Sequence, residues 1–159
     1  MPKLTASRLR AVLHYEPNTG VFTWLVDGRG RFQRKGARAG TINRGYRVIC
    51  IDHALYQSAR LAVLWMTGRW PRKLVDHRNC IRDDDRWINL REANHSQNGA
   101  NSRARKGCKG VIHTRGKYEA RIKVNYRTIN LGRFNRAEDA HAAYVAAAEK
   151  HFGEFARRA

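Results

Sequence analysis

Apolar positions follow two periods along the chain, and the switches between them mark the elements. Leu9, Val12 and Leu13 recur at helical spacing behind Thr5, a suitable N-cap, which predicts a short amphipathic helix over 4–15. Pro17 and Gly20 in "EPNTG" set a turn, and "VFTWL" has the β-branched and aromatic content of a strand. From Asp27 to Gly40 the period is lost, and "DGRGRFQRKGARAG" reads as a mobile basic loop. "GYRVICI" and "ALYQSA" predict a hairpin turning at Asp52-His53, and "RLAVLWMTG" predicts a buried helix stopped by Gly68. Leu74-Val75 and "WINL" are two short strands, followed by a helix with Asn94 as N-cap and Gln97 at N3.

The composition then resets. "SRARKGCKG" is basic, punctuated by glycine and reads as a connector. "GVIHTR", "KYEARIKV" and "RTINLGRF" predict three strands with turns at Arg115-Gly116 and Asn125-Tyr126, and Asn135 with Glu138 predicts a capping box opening an Ala-rich helix to about Phe152. Alternation places Ala120, Ile122 and Val124 toward that helix and leaves Glu119, Arg121 and Lys123 on a basic, solvated face. The expected fold class is α+β in two modules, 1–102 and 109–159, joined by a basic linker over 103–108.

Charge narrows the partners. Among 159 residues, 32 Lys and Arg face 13 Asp and Glu, so the formal charge is +19 and the sequence pI about 11.0. Such a surface suits a polyanion, and nucleic acid is the leading partner because each neutralised phosphate releases counterions. The sequence shows no long apolar run, signal peptide or lipidation motif, so a cytoplasmic chain without a membrane partner is expected. Cys50, Cys80 and Cys108 form no C-x-x-C pair, so neither zinc nor a disulfide framework is expected.

The candidate chemistry lies in "LVDHRNCIRDDDRWINLREANHSQNGAN". If the helix after Asn94 packs across the two strands before it, the Asp76 carboxylate and the Asn98 amide oxygen converge on one hard cation, Mg²⁺ or Mn²⁺ in its place. His77 is then available for proton transfer, with an unperturbed imidazole pKa of about 6.5. Phosphodiester hydrolysis unites a base, a hard cation and a basic surface. The other Asp-His pair, Asp52-His53, has no such company and is expected only to turn a hairpin.

This stretch, with "YEPNTGVFTW", "GYRVICI" and "ARLAVLWMTGRWP" before it, resembles the phage-type HNH homing endonucleases, in the variant whose third motif residue is Asn. The resemblance covers roughly the first hundred residues. It implies a ββα-metal (His-Me finger) site in which His77 is the general base, Asp76 and Asn98 are metal ligands, and Asn89 braces the loop and orients His77. Arg86 and Arg91 are candidates for holding phosphates. Two positions depart from the pattern: Ala59 stands where relatives often read His, and Asp85 stands where they read Asn.

The last fifty or so residues, with "LGRF", "AEDAHAAY" and "FGE", resemble an AP2 domain, a three-stranded sheet that lies in the DNA major groove. Lys109 and Lys123 match family positions that carry DNA-contacting Arg. Arg115, Arg121 and Arg127 are added by strand alternation and turn position, and Asn130 is a candidate at a position where plant members carry Trp. The two resemblances together imply a metal-dependent DNA endonuclease, nicking or double-strand cutting, phage-encoded and acting on duplex DNA as a monomer or a DNA-assembled dimer. The competing expectation is a non-cleaving DNA-binding regulator on a decayed nuclease. An RNA-binding role is weaker, because the sheet face lacks paired aromatics.

Overall fold

Thr5 accepts a hydrogen bond from the Arg8 amide and opens helix α1 (Ala6–Val12) in a computed structural model that describes residues 4–28, 33–102 and 107–157. The helix stops before the predicted Tyr15. Leu13 and Tyr15 are buried in alternation with exposed His14, the period of a strand, and form β1 (Leu13–Glu16). It pairs antiparallel with β2 (Val21–Trp24), Leu13 opposite Trp24 and Tyr15 opposite Phe22.

The predicted hairpin is the larger part of a three-stranded antiparallel sheet: β3 (Thr41–Asn43), β4 (Tyr46–Ile51) and β5 (Ala54–Gln57). All three residues of β3 are exposed, so no burial pattern announced that strand. Asp52 and His53 both adopt positive φ, 48° and 64°, and their role is the β4–β5 turn. Helix α2 (Ser58–Thr67) ends at Gly68, whose φ of 74° is the left-handed stop expected of it. Leu9, Leu13, Tyr15, Phe22, Ile49, Leu61 and Leu64 share the core formed by these elements. The centre of the predicted basic loop falls outside the described residues. Its end is anchored by a Thr23–Arg38 bridge and by fully buried Ala39.

Strand β6 (Leu74–His77) pairs with β7 (Leu90–Ala93). "WINL" is mostly not a strand: Trp87–Asn89 form a 3-10 turn in which Ile88 is 82% exposed while Asn89 is buried. An apolar residue outward and an amide inward invert the expected pattern, because Asn89 finds hydrogen-bond partners inside the preceding loop.

The chain divides into two compact units, Met1–Glu92 and Ala93–Ala159. Helix α3 (His95–Asn101) belongs to the second, ahead of the module boundary expected after residue 102, and most of the expected linker falls outside the described residues. Its capping box forms as predicted, Asn94 Oδ1 accepting from the Gln97 amide at 2.8 Å and Gln97 Oε1 from the Asn94 amide at 2.9 Å. The second unit continues with the antiparallel strands β8 (Val111–Thr114), β9 (Lys117–Val124) and β10 (Arg127–Phe134), then α4 (Ala137–Phe152) and a 3-10 turn over Gly153–Phe155. The Asn135–Glu138 capping box does not form. Extended Arg136 is the cap residue, without a side-chain cap bond, so Glu138 sits one place too early to reach back and instead pairs with the Arg136 guanidinium at 3.5 Å.

Ala93, Ala100, Ile122, Tyr144, Ala148, Phe152 and Phe155 make the core of this unit, joining α3, β9 and α4. Ala120 and Ile122 are buried, and Arg121 and Lys123 exposed, as alternation requires. Glu119 departs from its solvated assignment: Arg121 and Asn130 cover its carboxylate. Among the described residues no helix is long and apolar enough to cross a membrane.

Candidate active site

Strand β6 ends in the adjacent side chains Asp76 and His77, each 5% exposed. Asp76 Oδ2 accepts from Arg91 Nε, on the paired strand β7, at 3.0 Å. His77 Nε2 lies 2.8 Å from Asp85 Oδ1, and Asp85 is 2% exposed. The other Asp85 oxygen accepts from the Ser58 hydroxyl at the start of α2, and the Asp85 carbonyl accepts from the Tyr15 hydroxyl at 2.6 Å. Burial, reinforced by the nearby Asp85 charge, pushes the Tyr15 hydroxyl pKa well above its ordinary value. Gly20, with φ 74°, backs directly onto this segment: a Cβ there would meet Arg86 N and Asp85 C at 2.4 Å.

Asn89 laces the loop between β6 and the 3-10 turn. Its Nδ2 donates to the Asp84 carbonyl at 2.7 Å and to Asn79 Oδ1 at 3.0 Å, and its Oδ1 accepts from the Asn79 amide at 3.1 Å. Asn79 Nδ2 also donates to Asp84 Oδ2 at 2.6 Å. Arg86 grips both Asp84 oxygens, Nε at 2.7 Å and Nη2 at 2.6 Å, and this bond, assisted by Asn79, holds the Asp84 carboxyl down at about 2. Arg47 ties Asp83 at 3.0 and 3.1 Å. Asn89 thus makes its side-chain bonds to the loop, while His77 is hydrogen-bonded through Nε2 to Asp85. Asp85, Ser58 and Asn79 were not singled out for these roles from sequence, and the one signal was the departure from the family pattern at position 85.

Asn98 lies on α3, in the second unit. Of the two arginines proposed for phosphates, Arg86 is half-exposed and engaged with Asp84, whereas Arg91 is buried against Asp76. In the second unit, Arg115 occupies the β8–β9 turn at φ 49° and Arg127 begins β10, both exposed. Lys123 is exposed with its ammonium 5.9 Å from the centre of the Tyr126 ring. Arg121 is bidentate on Glu119, at 3.0 and 2.9 Å, and holds that carboxyl below its ordinary range. Asn130 donates to Glu119 Oε1 at 2.7 Å and accepts from the Gly132 amide at 2.9 Å, where the β9–β10 register shifts. Lys109, expected at the groove, also has a structural task. Its ammonium donates to the carbonyls of Gly99 at 3.1 Å, Ser102 at 2.6 Å and Ala100, closing the C-terminus of α3.

Residues 57–100 match the HNH endonuclease family model. The stretch contains Ser58, Asp76, His77, Asp85, Asn89 and Asn98, and the match supports an HNH nuclease domain with a nucleic-acid substrate. No curated protein matches the chain.

The donor chemistry at Asp76 fits a hard divalent cation, since a carboxylate oxygen stands beside a histidine at the end of one strand. Among the described residues no group of three or more His, Cys, Asp and Glu could hold a metal ion. Mg²⁺ is the kind of ion such a donor suits, since water and substrate phosphate ordinarily complete its shell.

Proposed function

We propose that the protein is a metal-dependent DNA endonuclease of the HNH type, with His77 as general base, targeted by the sheet of its second unit. The observation that carries this reading is the buried Asp76-His77 pair ending β6, inside the stretch that matches the family. His77 takes a proton from water as its oxygen attacks phosphorus. The bond to the 3′-oxygen breaks, and the products carry 5′-phosphate and 3′-hydroxyl ends. When bound, Mg²⁺ or Mn²⁺ stabilises charge on the phosphate and the departing oxygen. Asp76 would supply one ligand oxygen and Asn98 is assigned the other. Asn89 keeps the loop behind His77 in one shape through Asn79 and Asp84.

In the AP2-like reading, exposed Arg115, Lys123 and Arg127, with Arg121 above Glu119, supply phosphate and major-groove contacts. A phage homing-type enzyme acting in a bacterial cytoplasm is the biological setting we propose. Supercoiled plasmid incubated with the protein tests the reading, comparing Mg²⁺ with EDTA and wild type with His77→Ala. We expect metal-dependent relaxed or linear product, a loss of about 10²-fold or more in the variant, and unchanged DNA binding in gel shifts. Intact plasmid with every divalent metal, despite retained binding, would replace this reading with the non-cleaving DNA-binding regulator.

A further inference from the structure

The two nitrogens of an imidazole are not equivalent, and the partner of one decides the chemistry of the other. His77 Nε2 faces Asp85 Oδ1 at 2.8 Å with both side chains buried. A carboxylate only accepts, so Nε2 carries the hydrogen and the lone pair resides on Nδ1. Asp85 is itself held on several sides. Ser58, 1% exposed, donates to its second oxygen; Tyr15, fully buried, donates to its carbonyl; and the backbone of Gly20 lies against its carbonyl carbon. These contacts come from α2, β1 and the β1–β2 turn, so three parts of the first unit converge on this one residue, Ser58 on its carboxylate and the other two on its backbone.

We propose that Asp85 is a positioning residue of the nuclease: it fixes His77 in the tautomer with hydrogen on Nε2, leaving Nδ1 as the atom that accepts the proton of the attacking water. This rests on the nuclease reading. The carboxylate has two effects. It sets ring orientation and tautomer, and its negative charge steadies the imidazolium that forms when Nδ1 takes the proton, as the buried Asp does in serine-protease triads.

An amide can reproduce the first effect without the second. In Asp85→Asn, Oδ1 can still accept from Nε2 while Nδ2 donates to Ser58, whose own hydrogen is within reach of the Arg47 carbonyl at 3.2 Å. Asp85→Ala removes both effects.

The test uses full-length wild type, Asp85→Asn and Asp85→Ala. Single-turnover cleavage of plasmid at saturating Mg²⁺ gives the rate, a gel shift on duplex DNA gives affinity, and long-range ¹⁵N–¹H spectra of the imidazoles, recorded without divalent metal, give the tautomer. For Asp85→Ala we expect a rate lower by about 10²–10³-fold with affinity within about twofold, and for Asp85→Asn recovery of at least about tenfold of that loss. The spectra should show hydrogen on Nε2 of His77 in wild type and Asp85→Asn. A rate for Asp85→Ala within about threefold of wild type overturns the proposal, and so does hydrogen on Nδ1 in wild type. Should Asp85→Ala fail to fold, the wild-type and Asp85→Asn spectra still decide. If wild type does not cleave, the nuclease reading fails, whereas the spectra separately report whether Asp85 fixes the ring.

Discussion

Three consecutive aspartates, Asp83, Asp84 and Asp85, are given three tasks by their neighbours. Asp83 is tied by Arg47, Asp84 by Arg86 and Asn79, and Asp85 faces His77 and Ser58. Asp84 has a folded pKa of about 2, against about 3.9 in an unfolded chain. A depressed carboxyl contributes stability above the unfolded value, and that contribution is lost as pH falls from about 4 toward 2. We therefore expect the first unit to lose thermal stability across that window, and Asp84→Asn to flatten the loss, as read by circular-dichroism melts across the acid range. Asp76, His77, Asn89 and Asn98 could be singled out in the sequence because their spacing is a local pattern. The place of Asp85 could not, since its partners Ser58 and Tyr15 lie 27 and 70 positions away.

Most elements whose signals lie within a few residues form as the sequence predicts: the Thr5 cap, the Asn94–Gln97 box, the Gly68 stop and the Asp52-His53 turn, though not the Asn135–Glu138 box. Pairing at a distance overrides the local signal in the first hairpin. Leu13 suits either a helix face or a strand, and its place opposite Trp24 selects the strand. The turn at Gly20 shows how an element far in sequence shapes the site. It is left-handed, and its missing side chain lets the Asp85-Arg86 backbone approach. Gly20→Ala is expected to destabilise by about 1–3 kcal/mol from the forced displacement, with a further 1–2 kcal/mol or so from the left-handed backbone. A urea titration would measure that loss. Cleavage should fall more than stability explains, because the displaced backbone carries the residue that holds His77.

At the scale of the molecule, the salt dependence expected of duplex binding follows from how many cations reach phosphates and not from the +19 total. Two lysines of the second unit should behave differently when replaced. Lys123→Ala removes an exposed cation and should weaken duplex binding, lowering the slope of log affinity against log salt by about 1. Lys109→Ala should instead lower the melting temperature and leave that slope nearly unchanged, because its ammonium is spent on the end of α3. Affinity titrations over a salt series, beside thermal melts of both variants, separate the two. A composition supplies the total charge but not this division, which depends on where each ammonium is held.

The bed of α3 bears on how such a protein can be inherited or taken apart. The stretch that matches the nuclease family runs to residue 100, yet Ala93 and Ala100 pack with Ile122, Tyr144 and Phe152 of the second unit. A recombination joint placed after residue 102 would strip that helix of its apolar bed and of the Lys109 clamp. Asn98 would then sit on a helix of about two turns without its apolar support, so a transferable segment must include the receiving core along with the motif.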